Sequence, residues 1–117
     1  MKLVSSENKE REDKQWYSKK ILLNDKELNN PWSLVQMIKI KAWETAESHH
    51  HKIQTEIFYL LNENGYWIVN GEEIHPKIGD TLVIEPNEKH TVISSKTQDY
   101  IYLAFKISYD KDDLYRD

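Results

Sequence analysis

Two Asn-Gly steps in "NENGYWIVNGEEI", residues 62–74, constrain this chain more than any other feature. Asn-Gly between short apolar runs is the strongest local hairpin signal, because both central residues of a type I′ turn need positive φ. The segment therefore reads as turn, strand, turn, strand. Upstream, "WSLVQMIKIKAW" alternates. Gln36, Ile38, Ile40 and Ala42 share one face, and Met37, Lys39, Lys41 and Trp43 the other, which is the period of a half-buried strand. "WYSKKILLND" supplies an earlier strand, and "TEIFYLL", "GDTLVIEP", "HTVISS" and "YIYLAFKI" four more. No stretch after Trp16 carries a helical period. Many short strands with turn signals between them predict an all-β chain: a sandwich, jelly roll or barrel.

At 117 residues the chain suffices for one modest core. The polar run "SSENKEREDKQ" predicts a flexible N-terminal arm over residues 1–15, with the folded domain over 16–117. No apolar run reaches the roughly 20 residues of a membrane span, and the N-terminus lacks the apolar region of a secretory signal. A net charge of −4, with Lys and Arg scattered among acids, excludes the basic footprint of a nucleic-acid binder. With no cysteine there is no disulfide framework, and any metal must be held by nitrogen and oxygen. A cytoplasmic location is the corresponding expectation. Open sheet edges, with the segment Trp16–Leu28 free to add a strand to a second copy, predict a homodimer.

The chemistry concentrates in "SHHHKIQTE", residues 48–56. On a strand, His49 and His51 face one way and His50 the other. Two imidazoles on one face can bind one ion, and Glu56 follows at the head of the next apolar run. Alone, the cluster reads better as a solvated, histidine-rich loop than as a metal site. Only His75 and His90 remain to add a ligand. His90 opens a strand just after a turn, whereas His75 sits in a loop.

"HHHKIQTE" and "GDTLVIEPNEKH" together resemble the two motifs of the cupin superfamily, small jelly-roll (double-stranded β-helix) barrels. The first motif is Gly, five residues, His-x-His, three or four residues, Glu, six residues, Gly. The second is Gly, five residues, Pro-x-Gly, two residues, His, three residues, Asn. The resemblance spans residues 32–107 and implies a divalent transition metal (Mn, Fe, Ni, Zn or Co) held by His49, His51, Glu56 and His90. Trp43, Glu63, Glu85, Asn87 and Ser94 depart from the motifs, all at turn or packing positions. "NPWSLV", the triple histidine and the ending "ISYDKDDLYRD" are also similar to the cupin module of bacterial mannose-6-phosphate isomerase / mannose-1-phosphate guanylyltransferase. That likeness implies a carbohydrate ligand.

Further pocket residues are expected around the metal. Phe58 shares the face of Glu56. Gln36 is either a satisfied core amide or a pocket group. Tyr100, Tyr102, Ala104 and Lys106 share one face of the last long strand, opposite Ile101, Leu103, Phe105 and Ile107; either face could be the inner one. Gln36, Phe58, Tyr102 and Lys106 are the candidate substrate-binding set. The resemblance points to a metal-dependent enzyme of isomerase or epimerase type acting on a sugar, sugar phosphate or similar small polar molecule. A non-catalytic binding or sensing cupin, or an Fe(II) dioxygenase, is the alternative. No general base stands out beyond Glu85, Glu88 and Lys106.

Overall fold

Alternation decides how the strands lie. Along Ser33–Ile40 burial switches residue by residue, with Leu34, Gln36, Ile38 and Ile40 turned inward. Tyr100, Tyr102 and Ala104 do the same along Tyr100–Ile107. The computed structural model describes all 117 residues. In chain order the strands are β1 (Arg11–Asp13), β2 (Tyr17–Leu23), β3 (Ser33–Ile40), β4 (His49–His50), β5 (Thr55–Leu60), β6 (Gly65–Val69), β7 (Glu72–Ile74), β8 (Thr81–Ile84), β9 (His90–Ser94), β10 (Tyr100–Ile107) and β11 (Tyr115–Arg116). They form two antiparallel sheets, ordered β1-β2-β3-β10-β5-β8 and β11-β4-β9-β6-β7. This is the jelly roll expected. No helix is long and apolar enough to cross a membrane.

The core fills the space between the sheets with aromatic side chains. Phe58 stacks on Trp67 at 4.5 Å and meets Tyr102 edge-on at 5.1 Å. The Trp67 indole N–H donates to the Tyr100 hydroxyl at 3.2 Å, so the buried ring keeps its polar handle satisfied. Burying Trp67 is worth about 3–5 kcal/mol by comparison with truncations at such sites. The inner face of β10 is therefore the aromatic one, and Ile101, Leu103 and Phe105 stand on its half-buried outer side.

Three details differ from the sequence reading. Part of the polar arm, Arg11–Asp13, pairs with Ser18–Lys20 of β2. That pairing covers the β2 edge from within the chain, so the segment expected to reach a second copy lies inside the sheet. A four-residue helix, α1 (Asp25–Leu28), is capped reciprocally by Asn24 and Glu27; it is too short to show a helical period. The third concerns the two Asn-Gly steps. Asn70 and Gly71 both have positive φ, 50° and 83°, and make the tight β6–β7 turn. Gly65 has no such conformation and already lies in β6. Its role is close approach: a Cβ would stand 2.5 Å from the Ile93 carbonyl oxygen and against the Tyr100 ring. Asn64-Gly65 is thus a corner where the chain passes from one sheet to the other.

Gly65→Ala should therefore destabilise by about 1–3 kcal/mol through overpacking against Ile93 and Tyr100. Thermal unfolding should show a Tm drop of several degrees, and an unchanged Tm would refute the crowding.

Candidate metal centre

Antiparallel register brings the histidines together. His49 on β4 pairs directly with His90 on β9, and their rings lie 4.2 Å apart. His51 follows β4, and Glu56 arrives from β5 in the opposite sheet. One ligand atom from each of His49, His51, Glu56 and His90 lies within 4.8 Å of all the others. Glu56 Oε1 is 2.7 Å from His51 Nε2 and 3.6 Å from His90 Nε2.

The other side of each ring settles which nitrogen carries the proton. Nδ1 of His49, His51 and His90 donates to the backbone carbonyls of Glu47, Asp113 and Glu88, at 2.9, 2.5 and 2.9 Å. A carbonyl only accepts, so each Nε2 presents a lone pair to the cluster. His51 Nε2 and Glu56 Oε1 then meet as two acceptors, an arrangement that needs a shared cation, either a proton or a metal ion. His51 Nε2, His90 Nε2 and Glu56 Oε1 are buried without a hydrogen-bond partner. Carbonyl-anchored imidazoles with free Nε2 atoms beside a carboxylate form the donor set a transition metal takes.

The charges agree. Burial first, and His90 second, push His49 down to about 4, so it stays neutral. Burial opposes ionisation of Glu56, yet His51, His90 and Lys106 outweigh it and hold its carboxyl well below the usual range. Burial also opposes protonation of His51, but Glu56 and the Asp113 carbonyl prevail and raise it.

The C-terminal segment builds the rest of the wall. The buried Asp113 carboxylate accepts three successive backbone N–H groups, from Lys52, Ile53 and Gln54, at 2.8, 2.9 and 3.0 Å. Burial works against its charge, but those donors lower its pKa. β11 pairs with β4, and Asp117 holds His50 Nδ1 at 2.7 Å. From the other side the Asn87 N–H, on a residue at φ 71°, donates to the His51 carbonyl at 2.6 Å. Asn87 occupies the glycine position of the second motif, and Trp43, also at φ 71°, that of the first.

These groups open on a cavity of about 220 Å³. Gln36, Phe58, Tyr102 and Lys106 all line it. Gln36 and Tyr102 are buried, and burial holds the Tyr102 hydroxyl firmly protonated. Lys106 faces Glu56 across the β5–β10 pair and lies 5.0 Å from the Tyr109 ring. It makes none of the ion pairs of the chain. His50 and His75 stand apart, His50 on Tyr115 and Asp117, His75 stacked on Tyr66. Sequence reasoning missed Trp16, Gln54 and Asp113, all on the cavity wall. The acidic ending "YDKDD" was the one signal for Asp113, and it gave no register.

Comparison with known proteins agrees with this fold. The profile of the cupin domain (Cupin_2) matches residues 36–105. The oxalate-binding protein of Thermotoga maritima is 26% identical over 83 residues, 71% of this chain and 69% of that protein. The crystal structure of a predicted oxalate decarboxylase from Thermotoga maritima superposes with a TM-score of 0.77 at 25% identity, covering 91% of this chain and 98% of that one. KdgF from Halomonas sp. has a TM-score of 0.80 at 15% identity, covering 96% and 97%, a likeness of fold. The mannose-6-phosphate isomerase likeness has no counterpart among these matches.

Two outcomes follow from the site. Asp113→Ala keeps the backbone carbonyl that meets His51 but removes the carboxylate that fixes residues 52–54; the loosened turn between His51 and Glu56 should lower metal affinity about tenfold, measurable by competition with a chelator. The second concerns pH. The unfolded chain protonates His49 near 6.5 and the folded chain only near 4, so acidification through that window favours unfolding. Glu56, with its lowered folded pKa, adds a further loss below 4.5. His51, raised on folding, works the other way, so the test is the difference: between pH 6.5 and 4 the Tm of chelator-stripped protein should lose more on acidification than that of His49→Gln, and equal slopes would contradict the assignment.

Proposed function

The chain belongs to the cupin domain family, and on that footing we propose that it is a metal-dependent protein acting on a small, anionic, oxygen-rich molecule. His49, His51, Glu56 and His90 hold one divalent ion in this reading. The observation that carries it is the set of buried, unpartnered atoms, His51 Nε2, His90 Nε2 and Glu56 Oε1, on the wall of one cavity. Nitrogen and oxygen donors without sulfur suit Mn, Fe, Ni, Zn or Co. Bound there, the ion supplies Lewis acidity to a ligand oxygen.

The remaining residues define the ligand. Lys106 makes no close ion pair, only the longer-range attraction of Glu56 and the Tyr109 ring, and an anionic group on the ligand would meet its charge. Phe58 and Trp67, both buried, give the cavity an apolar wall. A volume of about 220 Å³ falls below the ~300–1,000 Å³ of drug-sized sites, so the ligand has few carbons. The name of the oxalate-binding relative supports an anion.

An isomerase or epimerase acting on a small sugar derivative would need a proton acceptor outside the ligand set. Lys106 suits that role, because burial lowers its ammonium pKa although Glu56 opposes the shift. It would take up and return a proton at a carbon beside the ligand's carbonyl group. Binding without turnover is the second reading, favoured by the same relative's name. The expected homodimer has the β8 edge open to it, where Val83 is exposed.

Elemental analysis of protein purified without added metal or affinity tag tests the centre, alongside His90→Ala. About one ion per chain, lost in the variant, is the expected result; no metal and no uptake on titration would sink the reading. Lys106→Met should then keep the metal and weaken oxalate binding about tenfold or more.

A further inference from the structure

Gln54 is a buried amide with nothing to bind. Its side chain is 1% exposed, and neither its oxygen nor its nitrogen has a hydrogen-bond partner. It lines the same cavity as the four metal-site residues, and its backbone N–H is fixed by the Asp113 carboxylate. Interchanging the amide oxygen and nitrogen alters nothing, since both are unmet. Leaving a buried amide unpaired costs about 1–3 kcal/mol or more, so the cavity contents must supply what the chain does not. Gln36, 2% exposed on the inner face of β3, adds an unpartnered Oε1 to the same wall.

Three demands therefore converge on whatever fills the cavity. Lys106 calls for a negative charge, the amide N–H for an acceptor, and the amide oxygen for a donor. A plain dicarboxylate meets the first two and lacks the donor at neutral pH. A neutral polyol lacks the charge. A small hydroxycarboxylate meets all three. Resting on the metal-site reading above, we propose that the ligand is a small hydroxycarboxylate, and that Gln54 separates hydroxy acids from plain carboxylates by accepting from the hydroxyl and donating to a ligand oxygen.

Malate and succinate share four carbons and differ by one hydroxyl, so they isolate that contact. The test is calorimetric titration of both into Mn²⁺-loaded protein whose manganese content is measured first. In the unaltered protein malate should bind about tenfold or more tightly than succinate. In Gln54→Met the margin should shrink at least fivefold, with manganese content kept and succinate weakened less than malate, since succinate loses only the amide N–H. The hydroxyl's own affinity for manganese persists in that variant, so the lost part of the margin belongs to Gln54. Gln54→Glu decides the matter if the methionine variant does not fold: its acceptor should preserve the margin while its charge weakens both acids. No margin in the unaltered protein, an unchanged margin in Gln54→Met, or unweakened acids in Gln54→Glu would overturn the proposal, water then being what satisfies the amide. Manganese bound without a margin defeats this inference alone; no manganese defeats the metal reading as well.

Discussion

Everything about this barrel mouth answers to one constraint: three imidazoles and a carboxylate are held together where the chain buries them. Left to themselves they would separate, because acceptors facing acceptors gain nothing and lose their hydration. Two sheets prevent that. His49 and His90 are fixed by β4–β9 pairing, Glu56 by its place in β5 between β10 and β8, and His51 by the Asn87 N–H on one side and the Asp113 carbonyl on the other. The fold thus supplies the free energy that keeps the donors converged before any ion arrives, the usual meaning of a preorganised site.

The space beside the donors has an equally simple origin. Along the inner face of the large sheet, Ala104 lies between Gln36 and Phe58, and the next row places Lys106 between Leu34 and Glu56. Ala104 is flanked by two residues that line the cavity, Gln36 and Phe58, and Lys106 stands beside Glu56, the donor the large sheet contributes. Aromatic packing below closes the floor. An apolar floor, a charged rim and a donor cluster follow from strand register alone.

Much of this was legible in the sequence, and the reasons differ by residue. Alternation found β3 and β5 because each has one face in a core. The four donors were reached through motif spacing, which survives when turn residues change: Asn87 and Trp43 replace glycines yet keep positive φ. Identical dipeptides hid different physics, since Asn70-Gly71 turns a hairpin and Gly65 makes room for Tyr100. The inner face of β10 was ambiguous because aromatic and aliphatic residues compete equally for burial. Gln54 and Asp113 left no periodic trace. They meet each other across 59 residues of chain, and no local pattern encodes that.

The C-terminal segment has a consequence in time. Residues 109–117 follow β1 to β10 along the chain, yet they carry the carbonyl that orients His51 and the carboxylate that fixes residues 52–54. Strands β1 to β10 can pair without them, and His51 then has no carbonyl to hold its Nδ1. Docking of β11 against β4 is therefore the step that sets the His51 ring. Sheets first and centre last is an order of assembly written into where these residues fall along the chain.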